Sequence, residues 1–228
     1  GSSSSEMEPC GSWEATVLGH TYEHVDMISA HVYYFERGGD LDSFLASAVN
    51  MDRFIDSVAA TADYVRAAGK HTKTINISFD EWNVWYQDRA ASEPPAGNNW
   101  PVAPVLLEDN YNVADAVVVG NLLISLLRHT DRVESASLAQ LVNVIAPIMT
   151  KKGGGTYKQT TFHPFALTAN HARGDVLQVN IDSPTHDTAR YGEVDLADAV
   201  ATRNPDTGEV EIFAVNRSTE KGATVRVD

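Results

Sequence analysis

An α/β protein, a parallel sheet with covering helices that gives way to a short all-β module, is predicted by three features of this 228-residue sequence. Strand-like and helix-like apolar periods alternate over roughly the first two thirds of the chain. Helices that separate successive strands force those strands to run parallel. Beyond Gly174 only short strand-like runs remain, one pair of them joined by the turn sequence PDTG.

The first strand is expected in EHVDMISAHVYY, with Val25, Met27, Ser29, His31 and Tyr33 on one face and Asp26, Ile28, Ala30 and Val32 on the other. Both faces are largely apolar, as in a strand covered on both sides. In LDSFLASAVNMDRFIDSVAATADYVRAAG, the residues Met51, Phe54, Ile55, Val58, Ala62 and Val65 recur at helical spacing. Ser43 is placed to cap that helix and Gly69 to end it. KTINISFDEW follows as the second strand. SEPPAGNNWPVAP holds too much Pro, Gly and Asn for regular structure.

A buried helix is expected from about Val113 to His129. A membrane span needs about 20 mostly apolar residues, whereas this run contains Asp115, Asn121, Ser125 and Arg128. SLAQLVNVI reads as a third strand, KKGGGTYKQ as a flexible loop and TFHPFALTANHA as a short last helix. DVLQVNI, LADAVATRN, EVEIFAVN and ATVRV then read as the start of an antiparallel sandwich or jelly roll. Two units are expected, 1–172 and 173–228. Three parallel strands are too few to close a barrel and leave apolar edges open, so the chain is expected to be a portion of a longer one.

Composition narrows the function. Apolar residues at 43 % and charged residues at 21 % describe an ordinary globular chain. A net charge of −14 repels phosphate backbones and anionic lipid, which argues against nucleic-acid and membrane partners. Cys10 is the single cysteine, so no intrachain disulfide forms, a fit to a reducing, cytoplasmic compartment. The histidines show no paired metal-ligand spacing, and neither metal nor cofactor is assigned.

Chemistry points to KTINISFDEWNVWY. Strict alternation along a strand sends Asp80 and Glu81 to opposite faces, so only one of them can look into a site. Glu81 sits at the C-terminal end of its strand, where parallel αβ folds gather reacting side chains. The plain alternative is a solvated strand-end acid, but Trp82, Trp85 and Tyr86 beside it offer the flat surfaces on which sugar rings stack. On the preceding strand His31 and Tyr33 share a face and could hydrogen-bond a neighbouring glutamate carboxylate; each alone could equally be core packing. Gln140 could meet sugar hydroxyls or cap a loop. A carboxylate so placed suits glycoside hydrolysis by attack on the anomeric carbon.

Five blocks in order, GSWEATVLGHTYEHVDMISAHVYY, SFDEWNVWY, APVLLEDNYNVADA, SLAQLVNVIAPIM and EVEIFAVNR, resemble glycoside hydrolase family 51, the α-L-arabinofuranosidases. The resemblance implies the C-terminal part of a (β/α)₈ barrel followed by a partial jelly roll. It implies a retaining hydrolase that releases terminal non-reducing α-L-arabinofuranosyl residues from oligo- or polysaccharides. Position by position, Glu81 falls on the nucleophile, Tyr33 and His31 on active-site residues beside it, and Trp85 and Gln140 on residues lining the sugar pocket. A homo-oligomer, such as a hexamer, is also implied.

The family's acid/base is a glutamate that follows Asn, and no Asn-Glu pair occurs in these residues. The acid/base is therefore expected upstream, and residues 1–228 alone are expected to be inactive. Two other readings stand beside this one: another retaining barrel glycosidase, such as a xylosidase or β-glycosidase, or an inert or sugar-binding fragment.

Overall fold

The computed structural model describes residues 3–87, 97, 98, 100, 102 and 107–227. Helix α1 (Ser12–Thr21) and a 3₁₀ turn (Tyr22–His24) lead into β1 (Met27–Tyr34). Helices α2 (Leu41–Leu45) and α3 (Ser47–Gly69) cross over to β2 (Asn76–Val84), and α4 (Val113–Arg128) crosses over to β3 (Val133–Leu138). The three strands lie side by side in that order, β2 parallel to both neighbours, the arrangement that helical crossovers impose. A hairpin of β4 (Ile148–Thr150) and β5 (Thr156–Lys158) precedes α5 (Phe162–His171). After it β6 (Asp175–Leu177), β9 (Ala197–Arg203) and β10 (Val210–Asn216) pair antiparallel in the order β10-β9-β6, and β7 (Thr185–Thr188) and β8 (Gly192–Asp195) form a second hairpin. The chain is thus a mixed α/β protein with several small sheets.

The core lies between the sheet and its helices. Ile28, Ala30, Val32 and Tyr34 of β1 and Ile77, Phe79, Trp82 and Val84 of β2 are buried on one face. Against them pack Met51, Phe54, Ile55, Val58, Ala62 and Val65 of α3 and Val118, Val119, Leu122 and Leu126 of α4. Full burial of such side chains stabilises by about 1.5–3 kcal/mol each. The other face of β1, expected to be covered, is only half-buried and carries Ser29, His31 and Tyr33.

The polar residues Asp115, Asn121 and Ser125 that interrupt α4 each have a side-chain hydrogen-bond partner. Asp115 accepts from the Tyr86 hydroxyl (2.6 Å), Asn121 donates to Asp198 (2.7 Å), and Ser125 donates to Asp52 (2.5 Å). None of the helices among the described residues is long and apolar enough to cross a membrane.

Several local expectations need correction. Asp40, not Ser43, caps α2, its carboxylate accepting from the Ser43 amide at 3.1 Å. Gly69 belongs to α3, and Lys70 takes the left-handed cap with φ of 55°. Glycine is needed at 69 for room: a Cβ there would stand 2.3 Å from the His71 ring, which is stacked on Tyr22.

The third strand is VESASL, not SLAQLVNVI. The chain turns away after Leu138 because Gln140, Asn143 and Val144 all have left-handed backbone, with φ of 68°, 62° and 63°. KKGGG closes the β4–β5 hairpin, and ATVRV is not a strand. Helix α1 went unseen because it buries only Glu14 and Leu18 and has no apolar stripe. Most of SEPPAGNNWPVAP lies outside the described residues.

At the C-terminal ends of the parallel strands, a charge cluster joins three distant segments. Glu6 accepts from Arg37 of the loop after β1 (2.6 Å) and from Arg190 of the β7–β8 turn. Burial pushes the Glu6 carboxyl up, but its bonds and charge pairing with the two arginines outweigh that and hold it below the usual range. A depressed folded pKa stabilises above the unfolded value of about 4.3, and the contribution is lost as pH falls through the lower folded value. The melting temperature of Glu6→Gln is therefore expected to lie below that of the wild type at pH 7. The gap should close as pH is lowered toward 3; a gap independent of pH would show that the charge is irrelevant.

Candidate active site

Strand β2 does not alternate throughout. Between Ser29 and His31 of β1 the facing residues are Ser78 and Glu81, and between Ala136 and Leu138 of β3 they are Phe79 and Trp82. Both neighbours advance by two residues where β2 advances by three, which is a β-bulge on the central strand. Its effect is visible in burial: Phe79 and Trp82 both face the core, while Asp80 and Glu81 between them are both turned to the more open side. The expectation that the two acids point to opposite faces is thereby overturned. The spacing Ile77, Phe79, Trp82, Val84 (two, three, two) is the trace of this bulge in the sequence.

On that open side five side chains of β1 and β2 converge. The Tyr33 hydroxyl donates to Glu81 Oε1 at 2.5 Å, and His31 Nδ1 lies 3.0 Å from Glu81 Oε2. His31 Nε2 lies 2.8 Å from Asp80 Oδ1, which also accepts from Ser29 at 2.7 Å. Ser29, His31 and Tyr33 meet the acids because they occupy alternate positions of one strand face. Burial pushes the Tyr33 phenol far up, and the hydrogen bond and charge of Glu81 push it further, so Tyr33 stays a proton-bearing donor. Glu81 thus presents both carboxylate oxygens to fixed partners while its side chain remains 44 % exposed, open to a reactant.

Trp85 follows directly after β2. Its ring meets Tyr33 edge to face, with centroids 5.0 Å apart, and its amide donates to the Tyr34 carbonyl at 2.9 Å. Its indole N–H is buried without a partner among the described residues, a donor that a polar ligand can satisfy. Gln140 stands apart from this cluster. It lies two residues beyond β3, exposed, and its side chain makes no hydrogen bond among the described residues.

The segment carrying Gln140 is nevertheless fixed. Ala139 donates to the Trp82 carbonyl (2.9 Å), and the Asn83 amide donates to the carbonyls of Ala139 (3.0 Å) and Ile145 (2.7 Å). The Tyr111 hydroxyl lies 2.6 Å from the Val84 carbonyl and 2.9 Å from that of Ile145. Left-handed non-glycine residues cost on the order of 1–3 kcal/mol each and persist where surrounding structure over-determines them. Buried Asn83 and Tyr111 supply that constraint.

Asp80 and Ser29 are the members of the cluster that sequence reasoning left out. Ser29 shares the face of His31 and Tyr33 and was legible on that ground; Asp80 was hidden by the bulge. Chemically, the cluster is one carboxylate beside a phenol and an imidazole at the C-terminal end of a parallel strand, with the Trp85 ring next to it; Trp82 and Tyr86, expected to offer stacking faces for a sugar, are instead buried in the core. A carboxylate so placed is able to attack an anomeric carbon.

Comparison with known proteins identifies the family. The sequence profile of the α-L-arabinofuranosidase C-terminal domain matches residues 80–228. An intracellular exo-α-(1→5)-L-arabinofuranosidase of Streptomyces lividans is 59 % identical over 218 residues, 96 % of this chain and 33 % of the relative. An exo-α-(1→6)-L-arabinofuranosidase of Bifidobacterium longum is 52 % identical over 227 residues, covering 96 % of this chain and 43 % of the relative. The solved structure of a family 51 α-L-arabinofuranosidase from Bifidobacterium longum superposes with a TM-score of 0.90 at 46 % identity, over 97 % of this chain and 46 % of that one. The chain spans between a third and under half the length of these relatives.

Proposed function

The chain belongs to the family 51 α-L-arabinofuranosidases, and on that premise we propose that it supplies the nucleophile side of an exo-acting, retaining arabinofuranosidase. The substrate is a terminal non-reducing α-L-arabinofuranosyl group on an oligo- or polysaccharide. The parallel sheet is then the C-terminal part of a (β/α)₈ barrel covering 1–172, and residues 173–228 begin a jelly roll. The names of the intracellular relatives favour a cytoplasmic enzyme.

In the first step one Glu81 oxygen bonds to the anomeric carbon. The bond to the leaving oxygen breaks, and a general acid gives that oxygen its proton. A covalent arabinosyl ester results. In the second step the same acid/base takes a proton from water, water attacks the anomeric carbon, and Glu81 leaves as carboxylate. The acid/base is a glutamate outside this chain, about 5 Å from Glu81 as retention requires. Tyr33 and His31 orient the nucleophile and hold the charge that returns to it when the ester breaks. Trp85 lines the sugar pocket with its edge and N–H, and Gln140 offers an amide to sugar hydroxyls from the loop after β3.

One observation carries this reading: one Glu81 oxygen accepts from the Tyr33 hydroxyl at 2.5 Å and the other lies 3.0 Å from His31 Nδ1, both from the neighbouring strand, at the strand end where parallel αβ sites form. Treating the whole enzyme with a mechanism-based arabinofuranosyl inhibitor should add one label, on the peptide containing Glu81. A label on a different peptide would reject the assignment, and faster turnover of a pyranoside would favour the xylosidase or β-glycosidase alternative.

Tyr33→Phe tests the orienting role separately. Hydrogen bonds to charged groups contribute about 1.5–3 kcal/mol, so kcat/KM should fall by about 10- to 10²-fold. A smaller loss would mean that the phenol packs and does not orient.

A further inference from the structure

Asp80 is left unused by that chemistry, although the bulge in β2 turns it to the same side as Glu81. Its Oδ1 accepts from Ser29 at 2.7 Å and lies 2.8 Å from His31 Nε2, while His31 Nδ1 lies 3.0 Å from Glu81 Oε2. The imidazole therefore stands between two carboxylates. A ring so placed donates to both only with a proton on each nitrogen; with one proton it turns a lone pair toward an anion. A solvated strand-end acid would need none of this: no hydroxyl beside it and no ring nitrogen in line.

We infer that Asp80, steadied by Ser29, is a positioning residue that holds the His31 ring with Nε2 toward itself and Nδ1 toward Glu81. The attacking carboxylate thereby keeps the imidazole against one oxygen and the Tyr33 hydroxyl against the other. The logic is that of an orienting carboxylate behind an imidazole, in which removing the charge leaves the geometry but sets the wrong protonation pattern on the ring. Ser29 also lies 3.1 Å from His31 Nε2, so its hydroxyl oxygen closes the corner between acid and ring and limits rotation of both. The inference rests on Glu81 being the nucleophile, as proposed above.

The test uses the whole enzyme and the near-isosteric Asp80→Asn, which keeps an acceptor oxygen and removes the charge. Nitrogen NMR of the His31 ring, without substrate, should show both ring-nitrogen signals displaced in Asp80→Asn relative to the wild type. With an aryl arabinofuranoside, kcat should fall by about 10²-fold while KM stays within about threefold. Ser29→Ala should move both readouts in the same direction and less far.

A ring that responds identically in wild type and Asp80→Asn overturns the inference, and so does an unchanged kcat. Should the wild type fail to turn over any arabinofuranoside while the ring still responds, the functional reading falls and the Asp80–His31 link stands.

Discussion

Replacing the proposed nucleophile Glu81 by alanine in the whole enzyme is expected to lower kcat on an aryl α-L-arabinofuranoside by about 10⁴-fold or more, the scale on which loss of a covalent nucleophile is felt. The reason lies in the proposed two-step route. Without the carboxylate no ester forms, and direct displacement by water must pass a barrier that the site does not lower. Folding should be spared, because the Glu81 side chain is 44 % exposed and its partners Tyr33 and His31 sit on a different, well-paired strand.

Azide offers a second reading of the same variant. A small anion can enter the space left by the carboxylate and attack the anomeric carbon, giving a glycosyl azide of inverted configuration. Recovery of rate with azide would place the missing group at the anomeric carbon. Alanine at 81 with activity within tenfold of wild type would remove Glu81 from the mechanism altogether.

Asp198→Ala is expected to have the largest effect on stability. Asp198 Oδ2 accepts from Asn121 at 2.7 Å and from Arg217 at 2.9 Å, and Oδ1 accepts from Arg128. Arg217 in turn donates to Asn121 (2.8 Å) and to the Asp195 carbonyl (2.9 Å), and Arg128 donates to Asp52 (2.8 Å). The Asp198 and Arg217 side chains are 8 % and 4 % exposed. This network fastens β9 and β10 to α4, and through Asp52 to α3.

Burial pushes the Arg217 guanidinium down and the Asp52 carboxyl up, with neighbouring charges and the Ser125 hydroxyl pulling back. Each charge is thus tolerable only with its partner. Deleting one member leaves the other buried and unpaired, which costs about 3–5 kcal/mol. Urea denaturation of Asp198→Ala should show that loss. Asp198→Ala combined with Arg217→Ala should cost clearly less than the sum of the two single changes. A loss under about 1 kcal/mol in the single variant would mean that the network is incidental.

Much of the fold was legible because burial and period go together. The spacing of Met51, Phe54, Ile55, Val58, Ala62 and Val65 fixed one helix, and the apolar run around Leu122 fixed the other; both exist with nearly the expected bounds. VESASL was missed for the converse reason. Among its six residues only Val133 is buried, so its strand state comes from pairing with β2 and leaves no apolar signature. Of the site, Glu81, His31 and Tyr33 could be gathered by counting along two strands, since alternate positions of adjacent parallel strands face each other. Asp80 could not, because a bulge defeats that count. Gln140, placed by family likeness, is presented by three left-handed residues whose conformation local preference opposes.

From the residues alone came the alternation of the first strands with the helices between them, the family and the identity of the candidate nucleophile, because these are written in periods and short motifs carried by neighbouring positions. Tertiary structure alone decided which carboxylates share a face, how His31 is caught between them, and why Asp115, Asn121 and Ser125 can lie inside an apolar helix. Those facts depend on hydrogen bonds and ion pairs between residues from about 30 to more than 70 positions apart. No local pattern encodes such pairs, since each forms only once the elements have packed.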